Sequence, residues 1–173
     1  MHQLKRCLVL FCLSTAIALS GCQSSPTESD APAASSPSPS TEAAKKEVEH
    51  EHSAPHGGAL IELGEEFAHI EVVPDTATGR LTAYVLDGEA ENSIRIKQSE
   101  IEIVVENPAD TIKLSGVANT LTGETSDDTS EFSGRSERLK GATDFDGVIK
   151  TISIKGQEFK DVAFNFPKGN EKQ

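Results

Sequence analysis

Hydrophobic and polar residues alternate in most of the apolar segments that follow residue 56. In the segment 99–106, which reads SEIEIVVE, isoleucine or valine occupies every second position and glutamate fills most of the others. A period of two places one face of an extended strand in a core and the other face in water. The residues that this pattern and the similar one in AHIEVV predict to point inward are Ala68, Ile70, Val72, Ile101, Ile103 and Val105.

Turn signals separate further segments of the same kind. Asp87-Gly88 ends one predicted strand, and Gly156 lies between the two strands of a predicted C-terminal hairpin. Short strands are also predicted at 93–96 and 111–114. The core residues predicted for the hairpin are Ile152, Ile154, Val162, Phe164 and Phe166.

These elements amount to seven or eight short strands in the region 56–173. The segment 125–147 is predicted to be a polar excursion with one helical turn at 136–140, and no sustained helical pattern occurs. The region is long enough for one hydrophobic core. Short strands joined by hairpins favour an all-β fold, and we predict an antiparallel β-sandwich.

The first 21 residues have the parts of a secretory signal peptide. A basic segment at 1–6 is followed by an apolar run at 7–19, which is too short to span a membrane. The run ends in Leu19-Ser20-Gly21-Cys22, which resembles the bacterial lipobox. This resemblance implies cleavage before Cys22 and lipidation of Cys22. After processing, the mature protein is expected to be an exported lipoprotein that is anchored to a cell-envelope membrane.

The residues around the cleavage site carry two further implications. Gln23 follows Cys22, and by resemblance to enterobacterial sorting rules this favours the outer membrane, facing the periplasm. More than one acyl chain is needed for stable anchoring, at about 0.8 kcal/mol per buried CH₂ group. Because Cys7 and Cys12 leave with the signal peptide, the mature chain is expected to contain no disulfide and no thiolate ligand.

The residues after the lipobox have the composition of a linker. The segment 23–47 is rich in Ser, Pro, Ala, Thr and Glu and has almost no large apolar residues. It cannot bury enough surface to offset the entropy that ordering would cost. The sequence therefore predicts three parts: a signal peptide at 1–21, a lipidated cysteine and disordered tether at 22–55, and a β-domain at 56–173.

The charge of the chain limits its partners. Loss of Lys5 and Arg6 with the signal peptide takes the formal net charge from −12 to −14. A chain this acidic repels nucleic acid, so no nucleic-acid partner is expected.

Four of the five histidines lie within residues 50–69. Neutral imidazole is a common ligand for Zn, Cu and Ni. In an extended chain His50 and His52 lie on the same side, about 7 Å apart at their Cα atoms. The predicted metal ligands are His50, His52 and His56, with Glu49 and Glu51 as oxygen donors.

His69 is the outlying member of this group. If Gly64-Glu65 forms the loop of a hairpin, position 60 faces His69 and His56 lies opposite Val73, about 13 Å further along. The alternation also places His69 on the solvent-exposed face of its predicted strand. Only a bulge, or a tether that folds back, would bring His69 to the other histidines.

The sequence also resembles a known group of proteins. Five segments resemble a domain of small planctomycete-type lipoproteins of unknown function: PHGG at 55–58, IELG at 61–64, HIE at 69–71, GRLTAYVLD at 79–87 and IKGQEF at 154–159. A similar stretch precedes some heavy-metal efflux adaptor proteins. The resemblance implies a periplasmic β-domain and a role in metal handling.

Two functions are consistent with these features. The first is a membrane-anchored extracytoplasmic lipoprotein whose non-catalytic β-domain binds a divalent transition metal. The alternative is an envelope structural or protein-interaction lipoprotein without metal ligands, whose partners are envelope or efflux proteins. An enzyme is not expected, because no phosphate loop, nucleophile elbow or H-E-x-x-H motif occurs.

Overall fold

The computed structural model describes residues 52–170, and these residues form one antiparallel sheet of eight strands. The strand order is β1-β2-β3-β6-β5-β4-β7-β8. The strands are β1 (Ala59–Leu63), β2 (Ala68–Asp75), β3 (Arg80–Leu86), β4 (Glu100–Glu106), β5 (Ala109–Gly116), β6 (Glu131–Arg135), β7 (Phe145–Ile154) and β8 (Gln157–Phe166). The predicted all-β antiparallel fold is confirmed, and its strands belong to a single continuous sheet.

One hydrophobic core contains side chains from all eight strands. A single sheet can bury one face against itself in this way only if it curls, so the strands wrap around the core. The inward-facing residues predicted from the alternation are all nearly or completely buried in β2, β4 and β7. In the C-terminal hairpin Phe164 is also buried, whereas Val162 and Phe166 are partly buried and pack against the core.

The segment after β8 attaches the end of the domain to its first strand. The backbone N–H of Asn170 donates to the carbonyl oxygen of Leu60 at 3.3 Å, and the backbone N–H of Glu62 donates to Oδ1 of Asn170 at 2.7 Å. Gly169 makes this approach possible, because a Cβ at this position would lie 1.9 Å from the Leu60 carbonyl oxygen. The first and last strands of the curled sheet are therefore held close together.

Two of the predicted elements differ in the structure. Residues 93–96 form no strand, and Ser93 and Ile96 make only single bridges to Leu86 and Thr129. The predicted polar excursion contains β6, which pairs with β3 and β5 in the interior of the sheet. The predicted strand at 111–114 lies within β5, and a 3₁₀ helix at Glu137–Leu139 occupies the predicted helical turn.

The folded part of the chain begins before the predicted boundary at residue 56. Ala54 packs against a second apolar cluster formed by Leu60, Leu86 and Ala90. The predicted signal peptide at 1–21, Cys22 and the tether as far as residue 51 lie outside the described residues. Within residues 52–170, no helix has the length and apolar character required to cross a membrane.

Candidate functional site

Strand β2 is buried on both of its faces. One face packs into the main core through Ala68, Ile70 and Val72. The other face, called the second face below, carries His69 and Glu71, which are both 0% exposed. In the register, His69 lies between Glu62 of β1 and Leu86 of β3. Glu71 lies between Leu60 and Tyr84. The chain that precedes β1 contacts this second face, so a histidine and a carboxylate are buried there.

Residues of the PHGG segment at 55–58 make the hydrogen bonds to the carboxylate of Glu71. The backbone N–H of His56 donates to Oε1 at 2.8 Å and to Oε2 at 3.1 Å. The backbone N–H of Gly58 donates to Oε1 at 2.8 Å, and Nδ1 of His56 lies 2.6 Å from Oε2. A buried carboxylate is costly unless it is paired and hydrogen-bonded. These contacts meet that requirement and fix residues 56–58 on β2.

The second glycine of this segment is required by the close approach of the chain to β2. A Cβ at Gly58 would lie 2.4 Å from the carbonyl oxygen of Val72 and 2.8 Å from a methyl group of Val73. No side chain fits in that space. The PHGG pattern therefore has a physical basis here, because it lets the backbone reach the buried Glu71.

Tyr84 completes this group of side chains from the neighbouring strand β3. Its ring stacks on the imidazole of His56, with centroids 3.8 Å apart and planes inclined by 11°. Burial raises the pKa of the Tyr84 phenol above its ordinary value of 10.0, and the negative charges of Glu131 and Glu71 raise this pKa further. Tyr84 therefore keeps its proton at neutral pH and acts as an aromatic surface for His56.

Two histidines have their Nδ1 atoms held by oxygen acceptors. Nδ1 of His56 contacts the carboxylate of Glu71, and Nδ1 of His69 lies 3.1 Å from the backbone carbonyl oxygen of Asp87. A carbonyl or carboxylate oxygen only accepts, so Nδ1 is the donor in both rings. In the neutral ring the lone pair then belongs to Nε2. Histidines that bind metals generally have this arrangement, since the hydrogen bond fixes the tautomer and the ring orientation.

His52 is brought to His69 by the segment that precedes β1. The two ring centroids are 4.7 Å apart, the ring planes are inclined by 57°, and the Nε2 atom of each ring is buried. Of the two ways to join His69 to the other histidines, a bulge or a chain that folds back, the structure shows the second.

Two predictions about His69 are wrong. Leu60 pairs with Glu71, and His69 pairs with Glu62, because the turn between β1 and β2 spans positions 64–67 and shifts the register by two residues. His69 lies on the face opposite the main core, as the alternation indicates, but this face is not exposed to solvent. The chain before β1 and the second apolar cluster cover it.

The structure brings together only part of the predicted ligand set. His52 lies beside His69, and His56 is held by Glu71 and Tyr84. His50, Glu49 and Glu51 lie outside the described residues. Among residues 52–170, no group of three His, Cys, Asp or Glu side chains converges on a common metal position.

Glu71 and Tyr84 are members of the site that the sequence pattern does not predict. The signal for Glu71 is weak, because a glutamate in an alternating strand is normally on a solvated face. The PHGG segment at 55–58 is the stronger signal. Two adjacent glycines beside a histidine indicate that the backbone approaches another group closely, and that group is Glu71.

Comparisons with known proteins do not place the chain in a family. A scan against protein-family models, a search of curated proteins and a search of solved structures each find no match to this chain.

Proposed function

We propose that the chain is an exported lipoprotein, anchored through Cys22 to the outer membrane and facing the periplasm, whose β-domain binds a divalent transition metal. The ion is Zn²⁺, Cu²⁺ or Ni²⁺, and its ligands come from the histidines at 50–69. The signal-like residues 1–21 and the lipobox-like motif support the anchoring. The clustered imidazoles support a nitrogen-rich site, as does the expected lack of a free thiol in a mature chain whose one cysteine, Cys22, is lipidated.

The observation that carries this proposal is the hydrogen bonding of His56 and His69. In each ring an oxygen atom holds the Nδ1 proton, which leaves Nε2 as the metal-binding atom of the neutral imidazole. Rings that are already oriented lose little conformational freedom when they bind an ion. The acidic chain also favours cations, since its formal net charge is −12 before any processing.

A binding role is also better supported than a catalytic one. Glu71 is the buried carboxylate of the site, and both of its oxygen atoms are engaged by His56 and Gly58. A carboxylate in this state is a structural acceptor and is poorly suited to remove a proton from a substrate. The domain is therefore proposed to be non-catalytic.

The alternative function is an envelope structural or protein-interaction lipoprotein without metal ligands. It is favoured by the packing of His56, because the carboxylate of Glu71 and the ring of Tyr84 account for this histidine structurally. In that case the domain would bind envelope or efflux proteins, and its histidines would hold the start of the chain on the sheet.

Calorimetry of the mature chain, residues 22–173, distinguishes the two functions. Titration with Zn²⁺, Cu²⁺ or Ni²⁺ in detergent at neutral pH should give saturable binding. The variant with His50, His52 and His56 all changed to Ala should bind much more weakly. A wild-type heat equal to that of this triple variant would reject the metal function and leave the alternative.

The anchor is tested separately in cells that process bacterial lipoproteins. Labelling with a fatty-acid analogue should mark the wild-type protein and should not mark the Cys22→Ser variant. If both proteins were unlabelled and freely soluble, the lipoprotein assignment would be wrong.

A further inference from the structure

We infer that His52 and His69 are the primary metal-binding pair, and that the bound ion fastens the chain before β1 to strand β2. This inference rests on the proposed metal function and changes its ligand set. It includes His69, which the sequence pattern separates from the other histidines, and it assigns His56 a different role.

The spacing of the two rings suits a shared ion. A Zn–N bond is about 2.0–2.1 Å long, so two imidazoles bound to one tetrahedral ion have centroids about 5 Å apart. The centroids of His52 and His69 are 4.7 Å apart. Their planes are inclined by 57°, which is not the parallel stacking of two rings in simple face-to-face contact.

His69 has the surroundings of a ligand that is fixed before the ion arrives. It is 0% exposed, and its Nδ1–H donates to the carbonyl oxygen of Asp87 at 3.1 Å. Asp87 is itself held in a turn, because its side chain accepts from the backbone N–H groups of Glu91 and Asn92 and from the side-chain amide of Asn92. The acceptor that orients His69 is therefore rigid.

His56 is placed to position His52 and is not needed as a ligand. Its ring is stacked on Tyr84 and bonded to Glu71, and its backbone N–H also binds Glu71. These contacts fix the chain four residues after His52. A fixed point this close to His52 restricts that ring to the neighbourhood of His69.

The donor set defines the class of ion. Two imidazoles in a mature chain without thiolates favour borderline ions such as Zn²⁺, Ni²⁺ and Cu²⁺, with Cu²⁺ expected to bind most tightly. Water molecules would complete the coordination, while His52 belongs to the segment that precedes β1. Binding would then make the ion a cross-link between that part of the chain and the sheet.

A matched pair of asparagine variants tests this assignment in the mature chain. Asn carries an N–H donor close to the position of histidine Nδ1 and has no atom equivalent to Nε2. His69→Asn therefore keeps the donor to Asp87, and His56→Asn keeps the donor to Glu71. Titration with Zn²⁺ and Cu²⁺ should show that His69→Asn and His52→Ala each weaken binding by at least about 10-fold, the smallest effect expected even for loss of an outer-shell partner. His56→Asn, which removes the stack on Tyr84 but no ligand, should weaken binding much less.

A second readout follows the cross-link itself. A protease that cleaves after glutamate should cut the wild type after Glu51 more slowly when Zn²⁺ is present. The same ion should give no protection to His69→Asn. Circular dichroism shows whether His69→Asn folds. If it does not, the titration and the protease measurement are made on His52→Ala, which is expected to fold because His52 lies in an irregular segment outside the strands.

The possible failures are distinguishable. A wild-type chain that binds none of these ions overturns the proposed metal function and this inference together. Saturable wild-type binding that persists in His52→Ala or His69→Asn overturns only the inference. Saturable binding that is lost in His56→Asn but kept in His69→Asn also overturns the inference, and it supports the original set of His50, His52 and His56.

Discussion

The buried carboxylate of Glu71 binds His56 through both the backbone and the side chain of that residue. The backbone N–H lies 2.8 and 3.1 Å from the two carboxylate oxygen atoms, and Nδ1 lies 2.6 Å from Oε2. Because Glu71 is on β2 and His56 precedes β1, this contact attaches the entry of the chain to the second strand. It also covers the face on which His69 is buried.

Replacement of Glu71 by Gln should destabilise the domain by about 2–3 kcal/mol, because an amide cannot accept the same set of hydrogen bonds and leaves buried donors unsatisfied. Urea unfolding followed by circular dichroism measures this change. Glu62→Gln on β1 is the matched control, since Oε1 of Glu62 accepts one exposed hydrogen bond, from the Glu66 backbone. Equal losses of stability in the two variants would show that the buried Glu71 contacts contribute no more than the exposed hydrogen bond of Glu62 does.

The stack between Tyr84 and His56 should contribute about 0.5–1.5 kcal/mol beyond its buried area. Tyr84→Leu removes the aromatic face and should lose this amount, whereas Tyr84→Phe should retain it. Both are measured by urea unfolding. The wild type also offers a local probe, because the chain has one Tyr and no Trp. If Tyr84 fluorescence changed well before the circular dichroism signal, the stack would not be part of the cooperative fold.

Gly169 should be intolerant of a side chain. Gly169→Ala adds a Cβ that would lie 1.9 Å from the Leu60 carbonyl oxygen, at a residue with φ +76°. Gly141→Ala is the control, because Gly141 has φ +74° and no atoms within 4 Å of the added Cβ. Both variants strain the backbone, and we expect Gly169→Ala to lose about 2 kcal/mol more through the steric clash. Equal thermal stabilities would contradict the close approach of the C-terminal segment to β1.

The loop that contains Glu124 should give the domain a specific sensitivity to acid. Hydrogen bonds from the side chains of Ser130 and Thr122 lower the pKa of Glu124 below its ordinary value of 4.5. A group whose pKa is lowered by folding stabilises the protein above its unfolded pKa, and this stabilisation is lost as the pH falls through the folded pKa. The stability difference between wild type and Glu124→Gln should therefore be largest near pH 7 and shrink below about pH 4.5. A difference that is independent of pH would contradict this role.

The alternation of apolar residues was sufficient to predict the all-β fold and most of the core. Whether a side chain such as Ile101 or Ile103 faces the core can be read from the alternation within its own strand. The sequence does not predict strand β6, because Glu131–Arg135 contains one large apolar residue, Phe132. The place of this strand between β3 and β5 depends on backbone pairing. Such pairing leaves little trace in a short polar sequence.

The geometry of the candidate site depends on interactions that the strand pattern does not contain. The β1–β2 register is set by a turn in which Glu66 adopts φ +52°, a conformation that the sequence does not indicate. The burial of His69 depends on a segment that arrives from outside the strands and is held by Glu71. Local alternation could assign His69 to the correct face but could not show that the face is covered.

X-ray absorption spectroscopy of the Zn²⁺-loaded mature chain tests the metal function most directly. The account predicts a shell of nitrogen donors at about 2.0–2.1 Å, with the outer-shell scattering of at least two imidazole rings, and a loss of one ring in His69→Asn. A spectrum with oxygen donors alone, unchanged in His69→Asn, would contradict it.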